Sequence, residues 1–334
     1  MSPVVENEPF ESPERTGSLA AAVAWLREFG RRHRVPLTIL GSLATVAVLA
    51  LVLAGRRDEF EKALSGPAPW VLAVTVLLQI VALVARSEAW HLSIEAAGGT
   101  VERRVLFRAS SMQVLGGVLN GHLGIAARIA ALRRSSPTVA PQVPTLIAAE
   151  LPILAIEAIA AALASFTLVA PLGLPWWLPL IVLVVIGTVS AGLRHLALNK
   201  GRELWRGLAA ARSLSHGSRV IAFVFVAIFA QVFRNWIMLR AAGTDASLFD
   251  AIAVLIGLVV LAQLPIGPGV GAAATVLILG RHGVAAAAAA GVLLTVTGTV
   301  GGLLFAAWAG GDRLWSHTLP MRLRRRRRRR EREP

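Results

Sequence analysis

Residues 70–85 read WVLAVTVLLQIVALVA, a stretch without a single charged side chain. With its neighbours it forms an apolar run over 69–88, about the 20 residues that a helix needs to cross the hydrocarbon core of a bilayer. Similar runs recur at 36–54, 105–131, 142–170, 175–198, 219–240, 249–281 and 284–310. The sequence therefore predicts an all-α polytopic membrane protein.

The composition of the whole chain excludes several other classes of protein. Of 334 residues 55% are hydrophobic and only 16% are charged, and the mean hydropathy is +0.66. A soluble globular domain has about 25% charged residues. We therefore exclude a soluble enzyme, a disordered chain and a nucleic-acid partner, although the net charge is +15. The chain has no Cys and its seven His lack the spacing of zinc ligands, so neither a metal nor a cofactor is expected.

Charge divides the chain into three parts. Residues 1–35 are predicted to be disordered, with an acidic start and a basic segment before the membrane; 36–310 form the membrane domain, and 311–334 an Arg-rich tail. Because basic segments stay on the cytoplasmic side, both termini are expected in the cytoplasm. The tail is interpreted as a solvated topogenic segment, or alternatively as a contact to anionic lipid head groups.

Loop charges argue against eight simple crossings. If every apolar run crossed once, the basic loop 194–219 would lie outside. The conflict disappears if 105–131 and 249–281 each enter and leave on one side. Their centres, Gly116–Gly124 and Gln263–Gly271, are rich in helix breakers, and irregular backbone is tolerated at membrane depth where protein buries it. We predict six full transmembrane helices and two re-entrant helical hairpins.

The two halves of the membrane domain resemble each other. The first contains Arg86 to Trp90, Ala96-Ala97-Gly98, Phe107 and a broken centre; the second contains Arg234 to Trp236, Ala241-Ala242-Gly243, Phe249 and a broken centre. In the predicted topology the two units are inverted. Inverted repeats with discontinuous helices are typical of secondary transporters, whose binding site lies at the repeat interface.

Ionisable residues inside membrane spans are costly and mark candidate functional sites. Glu150 and Glu157 are seven positions apart and therefore share one helix face. Two interpretations of Glu150 stay open: an ion pair with Arg128 or Arg86, and a ligand or proton site. For Arg128 the alternatives are a phosphate contact and an anchor at the cytoplasmic interface.

The broken centres add backbone groups to this candidate site. Helices that start after Gly121 and Gly269 would direct free N–H groups at an anionic head group. No Ser/His/Asp set can be assembled, so an enzyme is not expected. The predicted lipid head-group or proton site comprises Arg86, Asn120, Gly121, Gly124, Arg128, Glu150, Glu157, Pro265, Pro268, Gly269 and Gly271.

These motifs resemble the flippase-like transmembrane domain of lysylphosphatidylglycerol synthases, as a stand-alone member without the aminoacyl-transfer domain. The matching positions are Arg86, Trp90, Leu123, Gly124, Arg128, Leu264, Pro265, Pro268, Gly269, Gly271, Gly283 and Val284. The sequence departs from the family pattern at Asn120, where the family has Pro, and at Ile125 and Ala274, where it has Glu.

The resemblance implies a lipid translocase of the plasma (inner) membrane that moves a phospholipid or a polyprenyl-phosphate-type lipid between leaflets. The alternative is a non-transporting accessory membrane subunit for envelope lipid or polysaccharide synthesis. The missing carboxylates at Ile125 and Ala274 favour this alternative. The expected partners are anionic membrane lipids, together with a second copy of the chain in a homodimer or an envelope-synthesis enzyme.

Overall fold

A computed structural model describes residues 41, 43–44, 47–51, 53–117, 121–135, 142–199, 214–262 and 269–330. All regular elements in these ranges are helical. They are α1 (Arg57–Ser65), α2 (Pro69–Ala96), α3 (Arg103–Gly117), α4 (Gly121–Ser135), α5 (Val143–Ala148), α6 (Leu151–Ala164), a 3-10 turn (Ser165–Leu168), α7 (Val169–Leu172), α8 (Leu178–Asn199), α9 (Leu214–Ala241), α10 (Leu248–Leu261), α11 (Val270–Leu279), a second 3-10 turn (Gly280–His282) and α12 (Val284–Arg330).

Four helical segments of the described chain are long and apolar enough to cross a membrane. They are Pro69–Ala96, Val143–Leu172, Gly217–Ala241 and Val284–Gly311. The prediction of an all-helical, membrane-embedded protein is thereby confirmed. The run predicted at 175–198 forms α8, whose apolar part is Leu178–Gly192. The run at 36–54 and the N-terminal segment lie largely outside the described residues, and α12 continues as a helix through the tail to Arg330.

The two segments predicted as hairpins each form a pair of short helices. Helices α3 and α4 have 15 residues each and pack on each other; we call them the first hairpin. Helices α10 and α11, with 14 and 10 residues, form the second hairpin in the same way. At 1.5 Å per residue each arm is about 15–22 Å long, shorter than the roughly 30 Å of a hydrocarbon core.

Helices α2 and α9 end at equivalent points of the sequence. Their last residues, Ala96 and Ala241, are 145 positions apart. Each ends before a left-handed glycine, Gly98 with φ 82° and Gly243 with φ 86°. Glycine ends helices in this way because it has no Cβ to clash. The next elements, α3 and α10, begin at residues 103 and 248, again 145 apart.

Helices α2 and α9 pack against each other in opposite directions. Gln79, in the first half of α2, receives a hydrogen bond from Gln231, near the end of α9, at 2.9 Å. Trp90, near the end of α2, shares a hydrophobic cluster with Val220, near the start of α9. The two helices are therefore antiparallel.

Small residues line the point where α2 and α9 cross. Ala82, Ala85, Ala227 and Ala230 form one buried cluster, which lets the two backbones approach closely. A shift of 145 positions converts Ala82 into Ala227 and Ala85 into Ala230, so the cluster contains the same two positions from each helix. Leu78 and Phe223, also 145 apart, pack on the same cluster. We call this cluster the alanine crossing; it has the symmetry of a local twofold axis.

Candidate functional site

The most deeply buried cation near the first hairpin is Arg128 on α4. Its side chain is 1% exposed, and its guanidinium carbon lies 3.8 Å from the centre of the Trp90 ring. The guanidinium also forms an ion pair with Glu150, whose carboxylate is buried as well. Stacking on an aromatic face and pairing with a carboxylate are the two contacts that suit a planar guanidinium.

Glu150 lies at a turn between two consecutive helices, where the backbone keeps right-handed helical dihedral angles. Residues 149–150 form a turn between α5 and α6, and Pro152 follows in the first turn of α6. Proline is tolerated there because the first N–H groups of a helix have no intrahelical partner. Glu150 occupies the N-cap position of α6 but makes no capping hydrogen bond with its side chain. Its carboxylate is therefore committed to Arg128.

A second ion pair lies beside the first. Arg86 on α2 donates to Glu157 on α6 across 2.5 Å. Their side chains are 34% and 25% exposed, so this pair is far more accessible than Arg128 and Glu150. Both charges lie close enough to Arg128 to act on it electrostatically. We call Arg86, Arg128, Glu150 and Glu157 the inner charge cluster; it contains two cations and two anions.

The structure brings together four of the predicted site residues. Of the alternatives left open for Glu150, the pairing with Arg128 is the one observed. Glu150 and Glu157 each form an ion pair with a different arginine, Glu150 with Arg128 and Glu157 with Arg86. The pairing of Arg86 with Glu157 was not predicted, since the relative placement of α2 and α6 depends on tertiary packing.

Only some of the residues that the sequence analysis assigned to the broken centres of the site lie in the described part of the chain. Gly124 is buried on α4, Gly121 begins that helix, and Gly269 directly precedes α11. A Cβ on Gly271 would lie 2.5 Å from the carbonyl oxygen of Gly291, so this glycine lets α11 and α12 approach closely. Asn120, Pro265 and Pro268 lie outside the described residues, and an N–H contact to a head group stays a prediction.

Polar groups that the sequence analysis did not place in the site lie on α9. Arg234 and Asn235 are both buried, and the Asn235 amide makes no hydrogen bond to any described residue. Gln231 bonds both to Gln79 and to Arg234. The sequence signals for this second polar cluster are Arg234, an ionisable residue near the end of the apolar run 219–240, and the glutamines Gln79 and Gln231 in apolar runs.

A cavity of about 350 Å³ lies away from the inner charge cluster. It opens where the 3-10 turn after α6 meets the start of α10 and the end of the second hairpin. Its lining is aromatic and aliphatic, with one acid and one base among the residues Phe166, Thr167, Ala170, Pro171, Phe249, Asp250 and Arg281. Among the described residues, no three His, Asp or Glu side chains lie close enough to hold a metal ion.

Comparison with known proteins leaves the chain without an assigned family. No model of a known protein family matches it, and no curated protein matches its sequence. The resemblance to the flippase-like domain therefore rests on the quoted motif positions.

Proposed function

We propose that the protein is a lipid translocase made of two inverted units. The first unit comprises the predicted span 36–54, α2, the first hairpin and α5–α7; the second comprises α8, α9, the second hairpin and α12 to Gly311. The constant shift of 145 positions supports this division, and so does the alanine crossing, which contains the same two positions from each helix. Since α2 and α9 are antiparallel, the local twofold axis runs across the helices, as in secondary transporters with inverted repeats.

The proposed topology has six full spans and two re-entrant hairpins. The arm lengths of both hairpins support it, because arms of 10 to 15 residues are too short to cross a bilayer as simple spans. The basic loops favour both termini in the cytoplasm of a plasma membrane protein. The first hairpin then enters from the cytoplasmic side and the second from the opposite side.

The inner charge cluster carries the functional proposal. Four ionisable residues in membrane-embedded segments are costly unless they bind a polar ligand or pair with each other. Arg128 and Glu150 are buried and serve each other, so their role is to hold α4 against α6. Arg86 and Glu157 are accessible, and we assign the head group to them: Arg86 binds a phosphate, and Glu157 binds an amine or a coupling proton.

Lipid exchange between leaflets tests this function directly. The purified chain is placed in vesicles that contain phosphatidylglycerol with a fluorescent label, and the label in the outer leaflet is destroyed at intervals. We expect exchange faster than in empty vesicles. Replacing Arg86 and Glu157 together by Gln keeps the net charge and should slow exchange roughly tenfold or more, the effect of losing one charge-assisted hydrogen bond.

The matched control removes an exposed ion pair of the same charge types, an arginine and a carboxylate. Arg240 and Asp245 lie 3.6 Å apart at the end of α9, with side chains 54% and 95% exposed. The double variant Arg240→Gln/Asp245→Asn should exchange lipid at the wild-type rate. If the wild-type protein moves no anionic lipid faster than empty vesicles do, the translocase proposal is refuted, and the accessory-subunit hypothesis gains.

A further inference from the structure

A second polar cluster lies on the other side of the alanine crossing. Arg234 on α9 donates from Nη1 to the side-chain oxygen of Gln231 at 3.1 Å, and from Nη2 to the Leu294 carbonyl and to Thr297 Oγ1. Gln231 in turn donates to Gln79. Three long helices, α2, α9 and α12, therefore contribute to one hydrogen-bonded group, which we call the outer polar cluster.

The outer polar cluster contains a cation without a carboxylate. Arg234 is 6% exposed, and within the described part of the chain no Asp or Glu forms an ion pair with it. Its Nε–H group is buried and has no described hydrogen-bond partner. Arginine keeps its charge in proteins, and a buried charge is costly unless an opposite charge accompanies it. The cluster thus supplies hydrogen bonds but no negative charge.

Glycines on α12 make room for these polar side chains. A Cβ on Gly298 would lie 2.8 Å from Nη2 of Arg234, and a Cβ on Gly301 would lie 2.8 Å from Cγ of Gln79. Real Cβ atoms do not approach other atoms so closely, so any larger residue at either position would displace the group it faces. Gln79 and Gln231 are partly exposed and form the accessible edge of the cluster.

The two clusters lie on opposite sides of the alanine crossing. Arg86 and Gln231 are 145 positions apart and are therefore equivalent residues of the two units. Each directly follows the second alanine that its helix contributes to the crossing, but the two lie towards opposite ends of the crossing because the helices are antiparallel. The inner charge cluster has two cations and two anions, whereas the outer polar cluster has one cation alone.

We propose that Arg234, with Gln79, Gln231 and Thr297, is a second anion site that binds a phosphate group. This second site rests on the proposed translocase function and deepens it. A lipid phosphate would bind at Arg86 in one half of the membrane and at Arg234 in the other half. The shared chemistry is the phosphate oxygen, which accepts from the Arg234 Nε–H and from the glutamine amides. The phosphate comes either from a lipid head group or from free phosphate.

The test measures binding to the purified full chain in detergent by calorimetry. One arm uses inorganic phosphate, and the other compares short-chain phosphatidylglycerol with a short-chain diacylglycerol that lacks phosphate. Arg234→Gln should weaken binding of a phosphate-bearing probe roughly tenfold or more, as expected for the loss of a charge-assisted hydrogen bond. The arm in which this loss occurs identifies the source of the phosphate.

Two further variants separate a binding role from a structural one. Arg240→Gln removes an exposed cation six positions further along α9 and should bind like wild type. Gly298→Ala keeps the Arg234 charge but displaces its guanidinium, so it should also weaken binding, even if Arg234→Gln fails to fold. The proposal would be overturned if the wild type, Gly298→Ala and any folded Arg234→Gln bound inorganic phosphate with equal affinity and also bound phosphatidylglycerol with equal affinity.

The two proposals fail in distinguishable ways. Arg234-dependent phosphate binding without any lipid exchange in vesicles would keep the anion site and refute the translocase. Lipid exchange that proceeds in the wild type, together with phosphate binding that does not depend on Arg234 or Gly298, would keep the translocase and refute the second site.

Discussion

Replacing Arg128 by Met while Glu150 remains leaves a carboxylate buried among apolar side chains. Glu150 is 4% exposed and Arg128 is 1% exposed, so water cannot take the place of the missing partner. Breaking a buried pair in this way costs roughly 3–5 kcal/mol of unfolding free energy. The lost contact between the guanidinium and the Trp90 ring, 3.8 Å to the ring centre, adds about 0.5–2 kcal/mol. Arg128→Met should therefore be severely destabilised.

The double variant Arg128→Met/Glu150→Leu should recover most of that loss. Two apolar side chains of similar volume fill the space without an uncompensated charge, and such replacements are often neutral in stability. The predicted coupling between the two positions is roughly 3 kcal/mol or more. It is measured from the unfolding free energies of the wild type, both single variants and the double variant, by denaturant titration monitored by circular dichroism.

The exposed Arg240–Asp245 pair provides the control for this cycle. It joins the same charge types at 3.6 Å, but water screens it, so its coupling should not exceed about 1 kcal/mol. If the Arg128 and Glu150 substitutions are additive within about 0.5 kcal/mol, the two groups do not act as a pair. The assignment of Arg128 and Glu150 to a structural role would then be refuted.

Further predictions concern the glycines that define the two units. Gly98→Ala and Gly243→Ala should each cost about 1–2 kcal/mol, and similar amounts, because both positions have a left-handed φ and open space around a new Cβ. A large difference between the two costs would contradict their equivalence. Gly291→Ala should cost about 1–3 kcal/mol, since its Cβ would lie 2.6 Å from the facing backbone of α11. Gly187→Ala, in open space on α8, should be neutral or slightly stabilising; thermal unfolding in detergent measures all four.

The long helices could be predicted from the sequence because hydrocarbon thickness sets a length that apolar runs must match. The repeated Ala-Ala-Gly motif was also informative, since Gly98 and Gly243 both end a helix with the same backbone conformation. Helix breakers at the centres of 105–131 and 249–281 correctly indicated pairs of short helices. In each case the position of a helix or of its end depends on the residues of that segment alone, through their hydropathy or their backbone preference.

The register of the repeat and the pairing of charges required tertiary structure. The sequence comparison aligned Arg86 with Arg234, but the constant shift of 145 positions aligns Arg86 with Gln231. Two arginines near helix ends look equivalent in sequence, whereas the buried faces of α2 and α9 determine which positions correspond. The partner of Glu150 was undecided between Arg128 and Arg86 for the same reason, because it depends on how α4 and α6 pack.

The inverted arrangement of the two hairpins is tested most directly by labelling single cysteines from each side of the membrane. The chain has no Cys of its own, so each variant carries one reactive position: Arg103, Arg134, Leu248 or Arg281, all exposed at the ends of the hairpins. A membrane-impermeant maleimide should label Leu248→Cys and Arg281→Cys from outside intact cells. It should label Arg103→Cys and Arg134→Cys only after the membrane is opened. Two inverted units would be contradicted if the two ends of one hairpin were labelled from opposite sides of the membrane. They would also be contradicted if both hairpins were labelled from the same side.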